Sequence, residues 1–203
     1  METQETNQRI SRSRWVSLTS IMTALALVGN YVLVGIPNVE FGTTILFVTG
    51  YLFGFHMAAW STLIMSIIYG SINPWGAFIP PIWITQVVGW LFISASGSIL
   101  GEKERFTTKN KERMIELGLT GAFLTLFFDL ITNAGYAYAF SIPYYITILS
   151  GIVFMVVHVV SNSIIFASAV PILEDTIRQH MTDLIWFDSK DLPEHSSEES
   201  KAG

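Results

Sequence analysis

The chain has 203 residues, of which 51% are hydrophobic and 13% charged, and its formal net charge is −5. Its mean hydropathy is +0.49, and its apolar residues come in long blocks, which excludes an ordinary soluble domain. The absence of cysteine excludes disulfides and thiolate metal sites, and the acids leave no basic face for nucleic acid.

Residues 1–14 are polar and hold Arg9, Arg12 and Arg14, so they read as a cytoplasmic N-terminal segment with no cleavable signal. From there to Glu102 no basic residue occurs, and the ionisable side chains are Glu40, His56 and tyrosines. Lys103, Arg105, Lys109, Lys111 and Arg113 then cluster in one loop, and Arg178, Lys190 and Lys201 follow the last apolar block. Basic residues near span ends are retained on the cytoplasmic side, so all three groups are expected inside. An even number of spans therefore separates the first two groups, and four fit residues 15–100 at about 20 residues each.

The spans are expected at 15–35, 42–55, 56–72, 80–100, 114–140 and 144–173. Ile36-Pro37-Asn38, Gly54-Phe55-His56, Asn73-Pro74-Trp75-Gly76 and Ser141-Ile142-Pro143 supply breaks. The second span is short and is expected to be tilted or partly interfacial. Backbone groups in hydrocarbon must be satisfied within a segment, so each span is a helix. The fold class is thus an all-α integral membrane protein with six transmembrane helices and both termini cytoplasmic. Residues 15–175 form the membrane domain, and 176–203 form an acidic cytoplasmic tail expected to be disordered. No internal repeat is visible, which argues against an inverted-repeat transporter.

Polar residues inside spans are costly and therefore candidates for function. Asp129, Asn133 and Tyr136 share a face of the fifth span. His158 lies midway along the sixth, with Thr147, Gly151, Phe154 and Asn162 on its face. Trp83, Gln86 and Trp90 form a stripe on the fourth. Glu40 is the one acid expected on the outer side, in an apolar loop without a basic partner. With Asn38, Asn73 and Trp75, these groups suggest an outward-open pocket with aromatic walls and a few amide, carboxylate and imidazole groups, the make-up of a small-molecule site. Blander roles compete: interfacial belts for Trp15, Tyr144, Trp75 and Trp83, interhelical hydrogen bonds for Asn162 and Thr132, and a structural Asp129–His158 pair.

No P-loop, His-Glu-x-x-His or Gly-x-Ser-x-Gly motif is present. Phe154-x-x-x-His158 and His158-x-x-x-Asn162 echo the intramembrane prenyl-protein (CAAX) proteases, but the Glu-Glu-x-x-x-Arg motif of that family is absent. No charge ring or carbonyl-rich filter suggests a channel.

Over residues 15–175 the layout resembles the substrate-binding S component of an energy-coupling factor (ECF) transporter. The resemblance is carried by six spans with both ends inside, an outer loop ending in Pro37-Asn38-Val39-Glu40-Phe41, and Gly50-x-x-x-Gly54. It continues with the Asn73-Pro74-Trp75-Gly76 loop and the Asp129-x-x-x-Asn133 and His158-x-x-x-Asn162 pairs. It implies a non-enzymatic subunit, without cofactor or metal, in a prokaryotic plasma membrane. Such a subunit binds a vitamin or related micronutrient outside, associates with a membrane coupling subunit and two cytoplasmic ATPases, and topples to release its ligand. Cobalamin stands first by this resemblance, with thiamine, another B vitamin or a nucleobase precursor open. Where the family carries Ala-x-x-x-Ala on the first span, this chain has Ser20-x-x-x-Ala24 followed by Val28, with Ala26 and Gly29 as alternative contacts. The 31–41 loop is the expected lid. Ring stacking is expected from Trp75, Trp83 and Tyr136, and hydrogen bonding from Asn38, Glu40, Gln86, Asp129, Asn133 and His158. The alternatives are an intramembrane enzyme using Asp129 and His158, and a structural membrane subunit.

Overall fold

The computed structural model describes residues 11–74, 76–102 and 110–185, with side chains described for all of these except 102, 110 and 180–185. Trp75, the basic cluster through Lys109 and the acidic tail from Asp188 therefore lie outside the described residues. Those described form six helices: α1 (Arg12–Tyr31), α2 (Gly42–Phe53), α3 (Phe55–Ser71), α4 (Pro80–Glu102), α5 (Asn110–Phe140) and α6 (Tyr144–Ile185).

Local chemistry sets the helix ends. Ser11 caps α1, its hydroxyl accepting from the Arg14 N–H at 3.4 Å. Glu40 supplies a carboxylate to the start of α2, accepting from the Thr43 N–H at 2.8 Å. Gly54 separates α2 from α3 at φ 84°, a conformation glycine adopts without a Cβ penalty. Pro80 and Pro81 open α4, where missing N–H groups cost nothing.

Two boundaries differ from expectation. The first helix stops at Tyr31 rather than continuing to 35, because the chain turns back early. The Phe41 N–H donates to the Gly29 carbonyl at 3.0 Å, and the Tyr31 hydroxyl donates to the Ile72 carbonyl at 2.7 Å. The last helix continues past 175 to Ile185 with Pro171 inside it, so the first ten residues assigned to the tail are helical. There Glu174, only 7% exposed, pairs with Arg113 at the start of α5 and with Arg178 one turn on.

Helix α2 packs chiefly on α4, and α5 on α6 and α4. At the α2–α4 crossing the backbones touch. A Cβ on Gly97 would run into the Phe47 carbonyl oxygen, one on Gly101 into that of Tyr51, and one on Gly50 into that of Ser94. Gly97-x-x-x-Gly101 is thus a close-approach stripe. Below the pocket the core is built from Leu46, Phe47, Trp90, Ile93, Leu124 and Phe166. The exterior is apolar too: Ile21, Val28, Leu119, Phe123, Val153 and Ile164 are each at least half exposed. Three segments, Pro80–Gly101, Lys111–Phe140 and Tyr144–Gln179, are long and apolar enough to cross a membrane. An apolar exterior over such helices is what a lipid-facing protein presents.

On α1, Ser20, Ala24 and Val28 face outward, while Ala26 and Gly29 are buried within the chain. The latter two are therefore not available to a partner helix. Gly29 is taken up by the start of α2, where its Cβ would meet the Gly42 nitrogen at 2.9 Å.

Candidate functional site

A cavity of about 640 Å³ opens at the end of the bundle where α1, α3 and α5 finish. Nine of the ten predicted ligand-contact residues line it: Asn38, Glu40, Asn73, Trp83, Gln86, Asp129, Asn133, Tyr136 and His158. The tenth, Trp75, is not described. Helices far apart in sequence therefore converge on one site, with both expected loops at its mouth.

The 32–41 loop is fixed from several directions. Asn38 adopts φ 59°, a left-handed conformation that asparagine tolerates. Its carbonyl accepts from the Ser161 hydroxyl at 3.1 Å, so Asn38 is anchored to α6 through its backbone. The next turn brings Glu40 over α2, and its cap bond to Thr43 directs the other carboxylate oxygen toward α6. Glu40 Oε1 lies 3.8 Å from His158 Nε2, and Asp129 Oδ1 lies 2.7 Å from His158 Nδ1. The expectation that Glu40 lacks a basic partner is corrected: its partner is the imidazole, which stands between two carboxylates. The Asp129–His158 pair is present. Burial alone would push the Glu40 carboxyl up. The His158 imidazole and the Thr43 N–H outweigh that cost and hold it below its ordinary value.

Aromatic contacts run from the mouth to the imidazole. Tyr31 meets Tyr69, Tyr69 meets Trp90 edge-on, Trp90 meets Phe128, and the Phe128 and His158 rings are perpendicular at 6.0 Å. Trp83 donates its indole N–H to the Ser66 carbonyl at 3.1 Å, and its ring meets Phe78. Asn133 donates to the Asp129 carbonyl at 2.8 Å, and Tyr136 rests on Phe140 at the mouth. Tyr69, Trp90 and Phe128 belong to the wall although they were not predicted contacts. The Trp83/Gln86/Trp90 stripe and the place of Tyr69 at the outer end of the third span pointed to two of them.

A second polar layer lies one helical turn deeper. Asp129 pairs with His158, and a Cβ on Gly121 would strike Phe166. These two contacts bracket Thr125 opposite Asn162 on antiparallel α5 and α6. Glu40 near His158 and the Phe47–Phe166 ring contact likewise bracket Thr44 beside Asn162. Thr44, Thr125 and Asn162 are each fully buried. The two threonine hydroxyls and both Asn162 amide atoms have no hydrogen-bond partner. Thr132, which lines the cavity, also has a buried unpartnered hydroxyl. The expected interhelical hydrogen bonds of Asn162 and Thr132 are thus absent.

Among the described residues, no group of three or more His, Asp or Glu is arranged to hold a metal ion. His158 Nε2 has no hydrogen-bond partner, so no serine or threonine hydroxyl is paired with the ring as a nucleophile would be with its base. The arrangement can bind: it offers apolar faces, buried acceptors and one imidazole at the base of a cavity sized for a small organic molecule. In comparisons with protein families, curated proteins and solved structures, nothing matches this chain.

Proposed function

We propose that the chain is a membrane-embedded binding subunit for uptake of a small micronutrient, of the ECF S-component kind. In this reading it crosses a prokaryotic plasma membrane six times, with both termini in the cytoplasm. The observation that carries the proposal is the cavity, where Glu40, Asp129 and His158 meet from three distant parts of the sequence.

Charge asymmetry supports the orientation. The loops at the cavity end, 32–41 and 72–79, contain no lysine or arginine, whereas Arg14, Arg113 and Arg178 belong to the opposite end. Retention of basic residues inside puts the cavity outside. The 32–41 loop then serves as a lid whose closure expels water from the ligand. Energy for uptake comes from a coupling subunit and two ATPases, since the chain has no P-loop of its own. The outward Ser20, Ala24 and Val28 offer the coupling subunit a narrow face on α1. The volume suits a vitamin of one to three rings, such as thiamine, better than a corrinoid as large as cobalamin.

The test is titration of the detergent-purified protein with a vitamin panel, with Glu40→Ala alongside. Loss of one charge-assisted contact should weaken binding by about 10- to 100-fold without reducing membrane insertion. Unchanged affinity in Glu40→Ala would remove the lid carboxylate from the site. Failure of every vitamin to bind would count against the binding role.

A further inference from the structure

Resting on that binding role, we infer that the ligand is a cation bearing hydrogen-bond donors. A protonated amine, an amidinium or an amino-substituted cationic heterocycle would direct its donors at the carboxylate oxygens of Glu40 and Asp129 that flank the imidazole.

The first support is the charge lining the cavity. Among the described residues that line it, the ionisable groups apart from tyrosine are two carboxylates, Glu40 and Asp129, and one imidazole, His158, with no lysine or arginine. Two carboxylates against one imidazole leave an excess of one acidic group in the set. The groups that the packed elements present beside it are neutral: Asn30 from α1, Tyr69 from α3, Gln86 from α4, Thr132 from α5 and Thr147 from α6. The glutamate–arginine pairs of α5 and α6 lie at the far end of the bundle. A buried excess charge is costly unless something of opposite sign meets it.

The second support is the count of acceptors. Each carboxylate spends one oxygen inside the protein, Glu40 Oε2 on the Thr43 N–H and Asp129 Oδ1 on the imidazole. The remaining oxygens, Glu40 Oε1 and Asp129 Oδ2, are buried and have no hydrogen-bond partner, although Oε1 lies 3.8 Å from His158 Nε2. The Asp129 side chain is only 8% exposed, so bulk water is a poor substitute for a donor there. An anionic ligand would meet both carboxylates and find one ring N–H as compensation.

The third support is the wall. Tyr69, Trp83, Trp90 and Phe128 surround the approach to these oxygens. The negative face of an aromatic ring attracts a desolvated cation as well as stacking on a flat one. Carboxylates below and ring faces beside them form a site whose electrostatic and dispersion terms favour the same class of ligand.

The test uses the full chain in detergent. Small molecules released from protein purified out of its native membrane are identified by mass and charge. The protein is also titrated with thiamine as a cationic probe, riboflavin as a neutral one, and biotin and pantothenate as anionic ones. The expected result is a cationic released ligand, or binding confined to the cationic probe, weakened about 10- to 100-fold in Glu40→Gln. Asp129→Asn should weaken it as well, which provides a second reading should either variant fold poorly. A neutral or anionic ligand bound stoichiometrically would overturn this inference and leave the binding role intact. A cationic ligand held equally well by both variants would also overturn it. A protein that carries nothing and binds no probe would overturn the binding role and this inference together.

Discussion

Glu40 stands at the hinge of the site. One of its oxygens caps α2 and the other faces the imidazole of His158. Neither partner could be read from the sequence, because the loop's early turn, not its composition, aims the side chain. Asp129 and His158 were legible as candidates, since each is an ionisable residue within an apolar block. That they meet depends on the register of α5 against α6, which spacing within one helix does not reveal. The deeper layer makes a separate claim at this scale. Thr44 is fully buried with an unpartnered hydroxyl, so the isosteric Thr44→Val removes a desolvated polar group and loses no bond. It should stabilise the protein by about 1 kcal/mol, seen as a higher midpoint in tryptophan-monitored thermal unfolding. A lower midpoint would mean that the hydroxyl is engaged, with water as its partner.

At the scale of elements, breaks were easier to read than lengths. Gly54 and the proline-containing turns mark the joints between helices, because their backbone chemistry is local. The first helix ended early through long-range bonds from Phe41 and Tyr31. The last ran on because Glu174 gained partners from α5 and from its own next turn. The crossing of α2 and α4 carries a small-residue signal, Gly97-x-x-x-Gly101, that sequence reasoning missed. Only the structure shows that these glycines face the α2 backbone. Gly97→Ala would press a methyl group on the Phe47 carbonyl and should cost about 1–3 kcal/mol, the usual toll of overpacking. Gly35→Ala, with open space around it, serves as the control. Equal thermal midpoints for the two variants would show that α2 and α4 do not touch through their backbones.

At the scale of the whole molecule, the pattern of polarity is inverted relative to a soluble protein: large apolar side chains cover the outside, and ionisable ones meet inside, Glu40, Asp129 and His158 at one end and Arg113 with Glu174 at the other. All-helical architecture and its apolar segments followed from composition and from the absence of charge within the blocks. The convergence of three distant ionisable groups on a single cavity did not, since it arises only when the six helices pack. The central claim is that this cavity holds a small organic ligand, and native mass spectrometry of the wild-type protein beside His158→Ala tests it most directly. The predicted result is a stoichiometric adduct of vitamin size on the wild type, absent or much reduced in the variant. An unliganded wild type that stays so after incubation with a vitamin panel, or an adduct retained in full by His158→Ala, would contradict it.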